Sequence, residues 1–175
     1  MIRRHVQSDC REKAPLSPSA LRRLVSTWPS RSLTVQDCGM SAERDAVVVR
    51  WLAAGDSGDF DRFEELLHPD AVIHAPRGLS TNDLEAEKAV WREALAAMPD
   101  LRHEVMEVVV DGDVEMARVV VTGTMAANFG GVEGTGRPFR MDQAVITHLR
   151  DGKIAEGWEI ADVAALEQQT AEGRP

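Results

Sequence analysis

Apolar residues from Ser41 onward first recur at the spacing of amphipathic helices. Val47, Val48, Trp51 and Leu52 predict one helix, for which Ser41 is a suitable N-cap. Two further helices follow with the same period. The apolar positions of the second are Phe60, Phe63, Leu66 and Leu67, and those of the third are Leu84, Trp91, Leu95 and Met98.

Proline and capping residues separate these helices. Pro69 ends the second helix, because proline cannot continue the hydrogen-bonding pattern. Asn82, with Glu85 three residues further on, forms a possible capping box at the start of the third helix, which Pro99 ends. Between the second and third helices, residues 71–76 predict a short strand.

In the second half of the chain the apolar residues alternate with a period of two, which is typical of strands. Residues 101–110 and 114–126 are joined by an Asp-Gly turn, and residues 139–149 and 153–161 by another. We therefore predict an α+β domain in which the N-terminal helices cover one face of a curved antiparallel sheet. Such an arrangement can enclose one apolar pocket.

The last strand carries an acid that the alternation does not explain. One of its faces is made of small side chains and includes Glu159, whereas the other face is mainly apolar. Glu159 is therefore either a solvated surface charge or a catalytic group with space kept around it. The small residues are Ala155, Gly157 and Ala161, and the apolar residues are Ile154, Trp158 and Ile160.

Composition and charge narrow the classes of function. The 175 residues include 20 Lys and Arg against 29 Asp and Glu, a formal net charge of -9. This balance argues against nucleic acid or an anionic membrane as the main partner. We find no apolar run that could span a membrane and no secretory signal, so we expect a cytoplasmic protein. Cys10 and Cys38 do not indicate a disulfide scaffold.

The charge also divides the chain into segments. Residues 1–39 carry seven basic and three acidic side chains, and we interpret them as a flexible basic extension or a start-site artefact. Residues 40–170 carry the periodic elements and form the predicted domain. Residues 171–175 are a short tail.

Four sequence blocks resemble the SnoaL-like polyketide cyclases, often described as ester cyclases, within the nuclear transport factor 2-like superfamily. The blocks occur in the same order as in that family. They are LLHPDAVIHAP at 66–76, MPDLRHEV at 98–105, GTGRPFRMDQAVITHLRDGKIAEGW at 134–158 and DVAALEQQ at 162–169. The resemblance implies a cone-shaped barrel around an apolar pocket. It also implies an acid/base ring closure of a polyketide by intramolecular aldol addition.

The resemblance also implies which residues act. The family's acidic residue on the last strand corresponds to Glu159, and its pocket glutamine corresponds to Gln143. A histidine of the characterised enzymes is replaced here by Val145. His74 is our third catalytic candidate, because it ends a short apolar strand and could stabilise an enolate oxygen. The predicted substrate pocket contains Trp51, Trp91, Phe129, Met141, Val145 and Trp158.

We therefore predict a cofactor-free enzyme acting on a hydrophobic carbonyl compound by aldol cyclisation or a related isomerisation. The expected partners are a small hydrophobic molecule and a second copy in a homodimer, with no nucleic acid, membrane or metal. The first alternative is a non-catalytic binding module of the same fold, with a solvated Glu159 and a filled cavity. The second alternative is an epoxide hydrolase, for which Arg118 would have to bridge two pocket carboxylates.

Overall fold

The computed structural model describes residues 45–171, whose first half contains three helices, with a strand between the second and the third. Apolar residues at helical spacing form the buried side of the two longer helices. The helices are α1 (Val47–Ser57), α2 (Phe63–Leu66) and α3 (Leu84–Ala97), and 3₁₀ turns lie at Phe60–Arg62 and Pro76–Gly78.

Five strands form one sheet in the order β1-β5-β4-β3-β2. The first strand begins earlier than the predicted 71–76 and spans Leu67–His74, so Leu67 and Pro69 lie in a strand rather than at the end of a helix. The last four strands along the chain form an antiparallel meander, whereas β1 pairs in parallel with β5. The predicted α+β class is confirmed, with a mixed sheet rather than a wholly antiparallel one. The strands are β1 (Leu67–His74), β2 (Arg102–Asp111), β3 (Val114–Met125), β4 (Arg137–Arg150) and β5 (Lys153–Ala161), and helix α4 (Val163–Ala171) follows them.

Several element ends differ from the predicted ones. Gly58, with φ of 69°, is the left-handed C-cap of α1, so this helix continues past Gly55. Asp83 rather than Asn82 caps α3, since its carboxylate accepts a hydrogen bond of 2.8 Å from the Ala86 N–H. The predicted N-cap Ser41 and the predicted extension 1–39 lie outside the described residues.

The core lies between the helices and the inner face of the sheet. Trp91 of α3 packs edge-to-face against Trp51 of α1 and Phe63 of α2, with ring centroids 6.2 and 6.1 Å apart. Such edge-to-face contacts stabilise aromatic pairs beyond the area that they bury. The three rings therefore fix α3, which carries site residues, against the other two helices.

A β-bulge at Ala155 changes which residues of β5 face inward. His148 pairs with Glu156, but its neighbour Leu149 pairs with Ile154, so Ala155 is the extra residue. Ile154 consequently joins the buried core, although we predicted it on the opposite face together with Trp158 and Ile160.

The outer face of the sheet, which the helices do not cover, exposes large apolar side chains. Val109, Met116, Ile146 and Trp158 are successive partners across strands β2, β3, β4 and β5. Val109 and Met116 are 55% and 43% exposed, and nearby Ile160 is 62% exposed. Apolar side chains that adjoin across four strands are typical of interaction surfaces. Within the described residues, no helix is long and apolar enough to cross a membrane.

The homodimer expected from the sequence stays a prediction, which this outer face makes testable. If two copies associate through it, Met116→Lys should convert dimers to monomers, because an ammonium would be buried without a partner. Light scattering after size-exclusion chromatography of the full chain measures the mass directly. Glu93→Lys, at an exposed acidic position of helix α3 and therefore away from the outer face of the sheet, is a control that should leave the mass unchanged. A dimer that survives the Met116 substitution would place its interface elsewhere.

Candidate active site

A cavity of about 120 Å³ lies between the inner face of the sheet and helices α3 and α4. Most of its wall is apolar and includes Ile73, Trp91, Met98 and Val121. An apolar cavity of about 150 Å³ can hold benzene, so the closed part of this site has room for about one six-membered ring.

Glu159 lies in the wall of this cavity, next to Ala161 on β5. Both residues follow the bulge at Ala155, so strand alternation directs them to the inner face. Glu159 is partly exposed because it borders the cavity. None of the described residues forms a hydrogen bond with its carboxyl group. The carboxyl group is therefore available to a molecule in the cavity.

A second carboxyl group, Glu87 of α3, also lines the cavity, and the sequence analysis missed it. It is only 3% exposed. One of its oxygens accepts a hydrogen bond from the Thr81 hydroxyl at 2.7 Å, and the other accepts one from the Trp91 indole N–H at 2.9 Å. Its position was detectable, because Glu87 lies three residues after Leu84 and four before Trp91, on the buried stripe of the helix.

The two carboxyl groups titrate in different ways because their surroundings differ. Burial raises the pKa of Glu87, whereas the hydrogen bonds from Thr81 and Trp91 lower it and favour the ionised form. Burial, followed by the negative charge of Glu87, raises the pKa of Glu159 to about 8. The net result for Glu87 is a raised pKa. With its pKa at about 8, Glu159 is mostly protonated near pH 7 and can donate a hydrogen bond.

Gln143 of β4 lies on the same inner face as Glu159. It pairs with Ala161, and Val145 pairs with Glu159, so Gln143 and Glu159 are diagonal neighbours on adjacent strands. Gln143 lines the cavity and is 6% exposed, and its amide oxygen accepts no hydrogen bond from the described residues. A buried amide normally finds a partner, so a polar group of a bound molecule could occupy this position.

A buried histidine and aspartate pair forms another polar part of the cavity wall. His103 of β2 lines the cavity, and its Nδ1 lies 2.6 Å from a carboxylate oxygen of Asp56 in α1. The other Asp56 oxygen accepts a hydrogen bond of 2.8 Å from the His103 backbone N–H. No local sequence pattern links these two residues, which are 47 positions apart in the chain.

Arg77 joins three segments at the rim of the cavity. Its guanidinium donates hydrogen bonds to the backbone oxygens of Gly130 and Gly131 in the β3–β4 loop and to the carboxylate of Glu167 in α4. Arg77 has a φ of 60°, a left-handed conformation that is uncommon outside glycine. Backbone strain of this kind persists where several contacts hold it, and here these contacts fix the rim.

Two of the predicted site residues lie on the opposite face of the sheet. The His74 ring stacks on Trp158 with centroids 5.1 Å apart, and its Nε2 lies 2.8 Å from a Glu156 oxygen. Neither His74 nor Trp158 lines the cavity, which corrects the predicted positions of both. Alternation is the reason, because Ile73 rather than His74 faces inward on β1, and the bulge turns Trp158 outward on β5.

Trp51 and Val145 face inward but do not reach the cavity. Both side chains are fully buried in the core, and neither lines the cavity, which corrects their assignment to the substrate pocket. Trp51 lies behind Trp91 in the edge-to-face contact, so it supports the wall without forming it. The other predicted pocket residues that line the cavity are Trp91, Phe129 and Met141, together with the catalytic candidates Glu159 and Gln143.

The epoxide hydrolase alternative required an arginine in the pocket, and Arg118 does not lie there. Its guanidinium pairs with Glu107 at 3.2 Å and with Asp142 at 3.8 Å, on the outer face of the sheet. Arg118 therefore cannot bridge carboxylates inside the cavity. Within residues 45–171, no group of three or more His, Cys, Asp or Glu side chains is placed to hold a metal ion.

The architecture and the cavity carboxyl on the last strand agree with a known family. Residues 46–170 match the SnoaL-like polyketide cyclase family. The chain belongs to this family. The match covers all the helices and strands described above except the last residue of α4. Among curated proteins, none matches the chain.

Solved structures of similar proteins agree with this membership. IdmH from Streptomyces antibioticus is 34% identical, covers 73% of this chain and 97% of its own, and has a TM-score of 0.64. TsrD from Streptomyces laurentii is 26% identical, covers 74% and 96%, and has a TM-score of 0.66. A SnoaL-like polyketide cyclase from Agrobacterium tumefaciens, 22% identical over 71% and 95% with a TM-score of 0.62, shares the fold.

Proposed function

We propose that this SnoaL-like protein is an enzyme that closes a ring in a hydrophobic, polyketide-like carbonyl compound by intramolecular aldol addition. The observation that carries the proposal is Glu159, a carboxyl group in an apolar cavity whose pKa is raised to about 8. A group that is poised near the working pH can transfer protons at neutral pH. Family membership supports the same type of reaction.

In this proposal Glu159 is the acid of the reaction. Near pH 7 its protonated carboxyl donates a hydrogen bond to the carbonyl oxygen that gains negative charge as the new bond forms. The side-chain N–H group of Gln143, which is diagonal to Glu159, donates a hydrogen bond to the second carbonyl group of the substrate and orients it. Burial, followed by the negative charge of Glu87, raises the pKa of Glu159 and favours this protonated form. All of these groups belong to the chain, so the proposed reaction requires no cofactor.

The size and lining of the cavity support an apolar substrate. The cavity of about 120 Å³ accommodates roughly one ring, and its polar groups lie at only a few positions in an apolar wall. The alternative binding module predicted a solvated Glu159 and a cavity filled by tryptophan and methionine side chains. The open cavity and the raised pKa of Glu159 favour the enzyme.

The test uses the full chain and nonane-2,4,8-trione, whose acidic carbon can attack its distant ketone to give a six-membered ring. Wild-type protein should accelerate this closure, measured by NMR, and Glu159→Gln should slow it by about 100-fold, because an amide cannot transfer the proton. Glu156→Gln, which changes the same residue type on the outer face of β5, is the matched control and should retain full activity.

Three outcomes would decide against the proposal. A wild-type protein without acceleration would contradict it, and so would a Glu159→Gln protein as active as the wild type. Binding of the trione by wild-type protein without turnover would favour the non-catalytic binding module.

A further inference from the structure

The proposed reaction needs a base as well as an acid, and protonated Glu159 cannot be the base. The base must take a proton from the carbon between two carbonyl groups of the substrate. Among the described residues that line the cavity, the titratable side chains are Glu87, Glu159, Arg77 and His103. The base must therefore be one of the other three residues.

Glu87 and Arg77 already form hydrogen bonds with other residues of the protein. Burial raises the pKa of Glu87, but both of its oxygens already accept hydrogen bonds within the protein, one from Thr81 and one from Trp91. The Arg77 guanidinium is bonded to the rim and stays protonated in proteins, so it cannot accept a proton. His103 is the remaining candidate.

The contact with Asp56 determines which nitrogen of His103 can react. Asp56 lies 2.6 Å from Nδ1 and is itself buried, so its carboxylate accepts a hydrogen bond from the Nδ1–H. In the neutral ring, Nε2 then carries the lone pair. His103 lines the cavity and Asp56 does not, so the Nε2 side of the ring is the one available to a bound molecule.

The Asp56 carboxylate also stabilises the charge that forms on His103 when Nε2 accepts a proton. The other Asp56 oxygen accepts a hydrogen bond of 2.8 Å from the His103 backbone N–H, which holds the carboxylate beside the ring. On its other side, the His103 ring contacts Trp91 at 5.3 Å between centroids. The ring is therefore held from two sides, as a proton-transfer group must be.

Trp91 also connects the two acid/base groups of the cavity. Its ring contacts His103, and its indole N–H binds Glu87, whose charge acts on Glu159. His103 on β2 and Glu159 on β5 are separated by strands β3 and β4, so they approach the cavity from different sides. An aldol closure needs this separation, because its base acts on the nucleophilic carbon and its acid acts on the oxygen of the distant ketone.

We propose that His103, oriented by Asp56, is the catalytic base of this site. This inference rests on the proposed function. Nε2 of His103 takes the proton from the carbon between the two carbonyls, and that C–H electron pair becomes the enolate. The enolate carbon forms a C–C bond with the distant ketone carbon. The π electrons of that ketone move to its oxygen, which takes the proton of Glu159.

The protons balance without an outside reactant. His103 gains one proton and Glu159 loses one, and exchange with water returns both groups to their starting states. The substrate and the product, a cyclic hydroxyketone, have the same atoms and the same oxidation level. Asp56 does not touch the substrate, so it is a positioning residue.

Two substitutions test the proposal with nonane-2,4,8-trione and the full chain. His103→Gln should lower the rate of closure by about 100-fold, since general base catalysis is removed. Asp56→Asn should lower it by at least about 10-fold. The asparagine oxygen can still accept the hydrogen bond from the backbone N–H of His103. The asparagine NH₂ group, however, donates a hydrogen bond to Nδ1, so the ring proton moves to Nε2. His148→Gln, which alters a histidine on the outer face, is the control and should leave the rate unchanged.

Two further measurements separate catalysis from structure. The ¹⁵N NMR shifts of His103 should show a protonated Nδ1 in the wild type and a protonated Nε2 in Asp56→Asn. Added imidazole should restore part of the activity of His103→Ala, which would not occur if the residue were merely structural.

The outcomes distinguish this inference from the proposed function. If His103→Gln and Asp56→Asn are as active as the wild type while Glu159→Gln is inactive, the base is not His103 and the proposed function stands. If the wild type does not accelerate closure, the proposed function fails first. Loss of activity in folded His103→Ala without imidazole rescue, together with an unchanged ring tautomer in Asp56→Asn, would also overturn the assignment.

Discussion

Glu159→Gln is expected to be more stable than the wild type at pH 8, although it loses most of its activity. The pKa of Glu159 is raised to about 8 in the folded protein, against 4.5 for an ordinary glutamate. Between these pH values the folded state holds a proton that the unfolded state releases. The free energy of unfolding of the wild type therefore falls as the pH rises from about 4.5 to about 8.

The size of this effect follows from the shift in pKa. One pKa unit corresponds to about 1.4 kcal/mol, so the full shift would give about 5 kcal/mol. Glu159 borders a cavity that water can enter, which reduces the penalty, and we expect roughly 3 kcal/mol. A glutamine cannot ionise, so the variant should lack this pH dependence. A catalytic group that lowers stability in this way is a common compromise between stability and activity.

Urea denaturation of the full chain at pH 5 and pH 8 measures the difference. The stability gained by Glu159→Gln over the wild type should be small at pH 5 and reach its full value near pH 8. Glu156→Gln, with its carboxylate on the outer face, should follow the wild-type pH dependence. Parallel stability curves for Glu159→Gln and the wild type would show that burial does not raise the pKa of Glu159.

Glu115→Ala is expected to destabilise the protein by about 2–4 kcal/mol. Glu115 of β3 is 4% exposed, and its two carboxylate oxygens accept hydrogen bonds from the N–H groups of Val47 and Val48 at 3.0 and 2.7 Å. These N–H groups lie in the first turn of α1, where the helix itself provides no acceptor. The negative charge also interacts favourably with the positive end of the helix dipole.

Thermal and urea unfolding of matched variants test this role. Glu115→Gln keeps one acceptor and the side-chain volume, so we expect a loss between those of the wild type and the alanine variant. Glu104→Ala removes an exposed carboxylate from the neighbouring strand β2 and should change stability by less than about 0.5 kcal/mol. An equal, small effect at both positions would mean that the contacts with α1 contribute little.

This contact also shows where sequence analysis reaches its limit. The sequence offered Ser41 as the cap of the first helix, which is a local choice outside the described residues. In the structure the N-cap residue Ala46 has no side-chain cap, and Glu115, 68 residues from Val47, supplies the acceptors. No periodicity reports a bond between residues this far apart in the chain.

The residues of the cavity also differ in whether the sequence alone could identify them. Glu159 could be identified from alternation and the family resemblance, because it lies on one strand with small neighbours. Glu87 was identifiable in principle, from its place on the buried stripe of α3. His103 and Asp56 could not be paired from sequence, because the contact joins β2 to the end of α1 and depends on how the two pack.

The sequence by itself determined the helices, the four-strand meander, the family and the carboxyl group of the last strand. These properties depend on residues that are close in the chain, where side chains repeat every 3.6 or 2 positions. Only the tertiary structure decided that β1 joins β5 in parallel, that the bulge at Ala155 turns Trp158 outward, and that His74 lies outside the cavity. Strand register and packing set these features, because one extra residue reverses the face of every side chain beyond it.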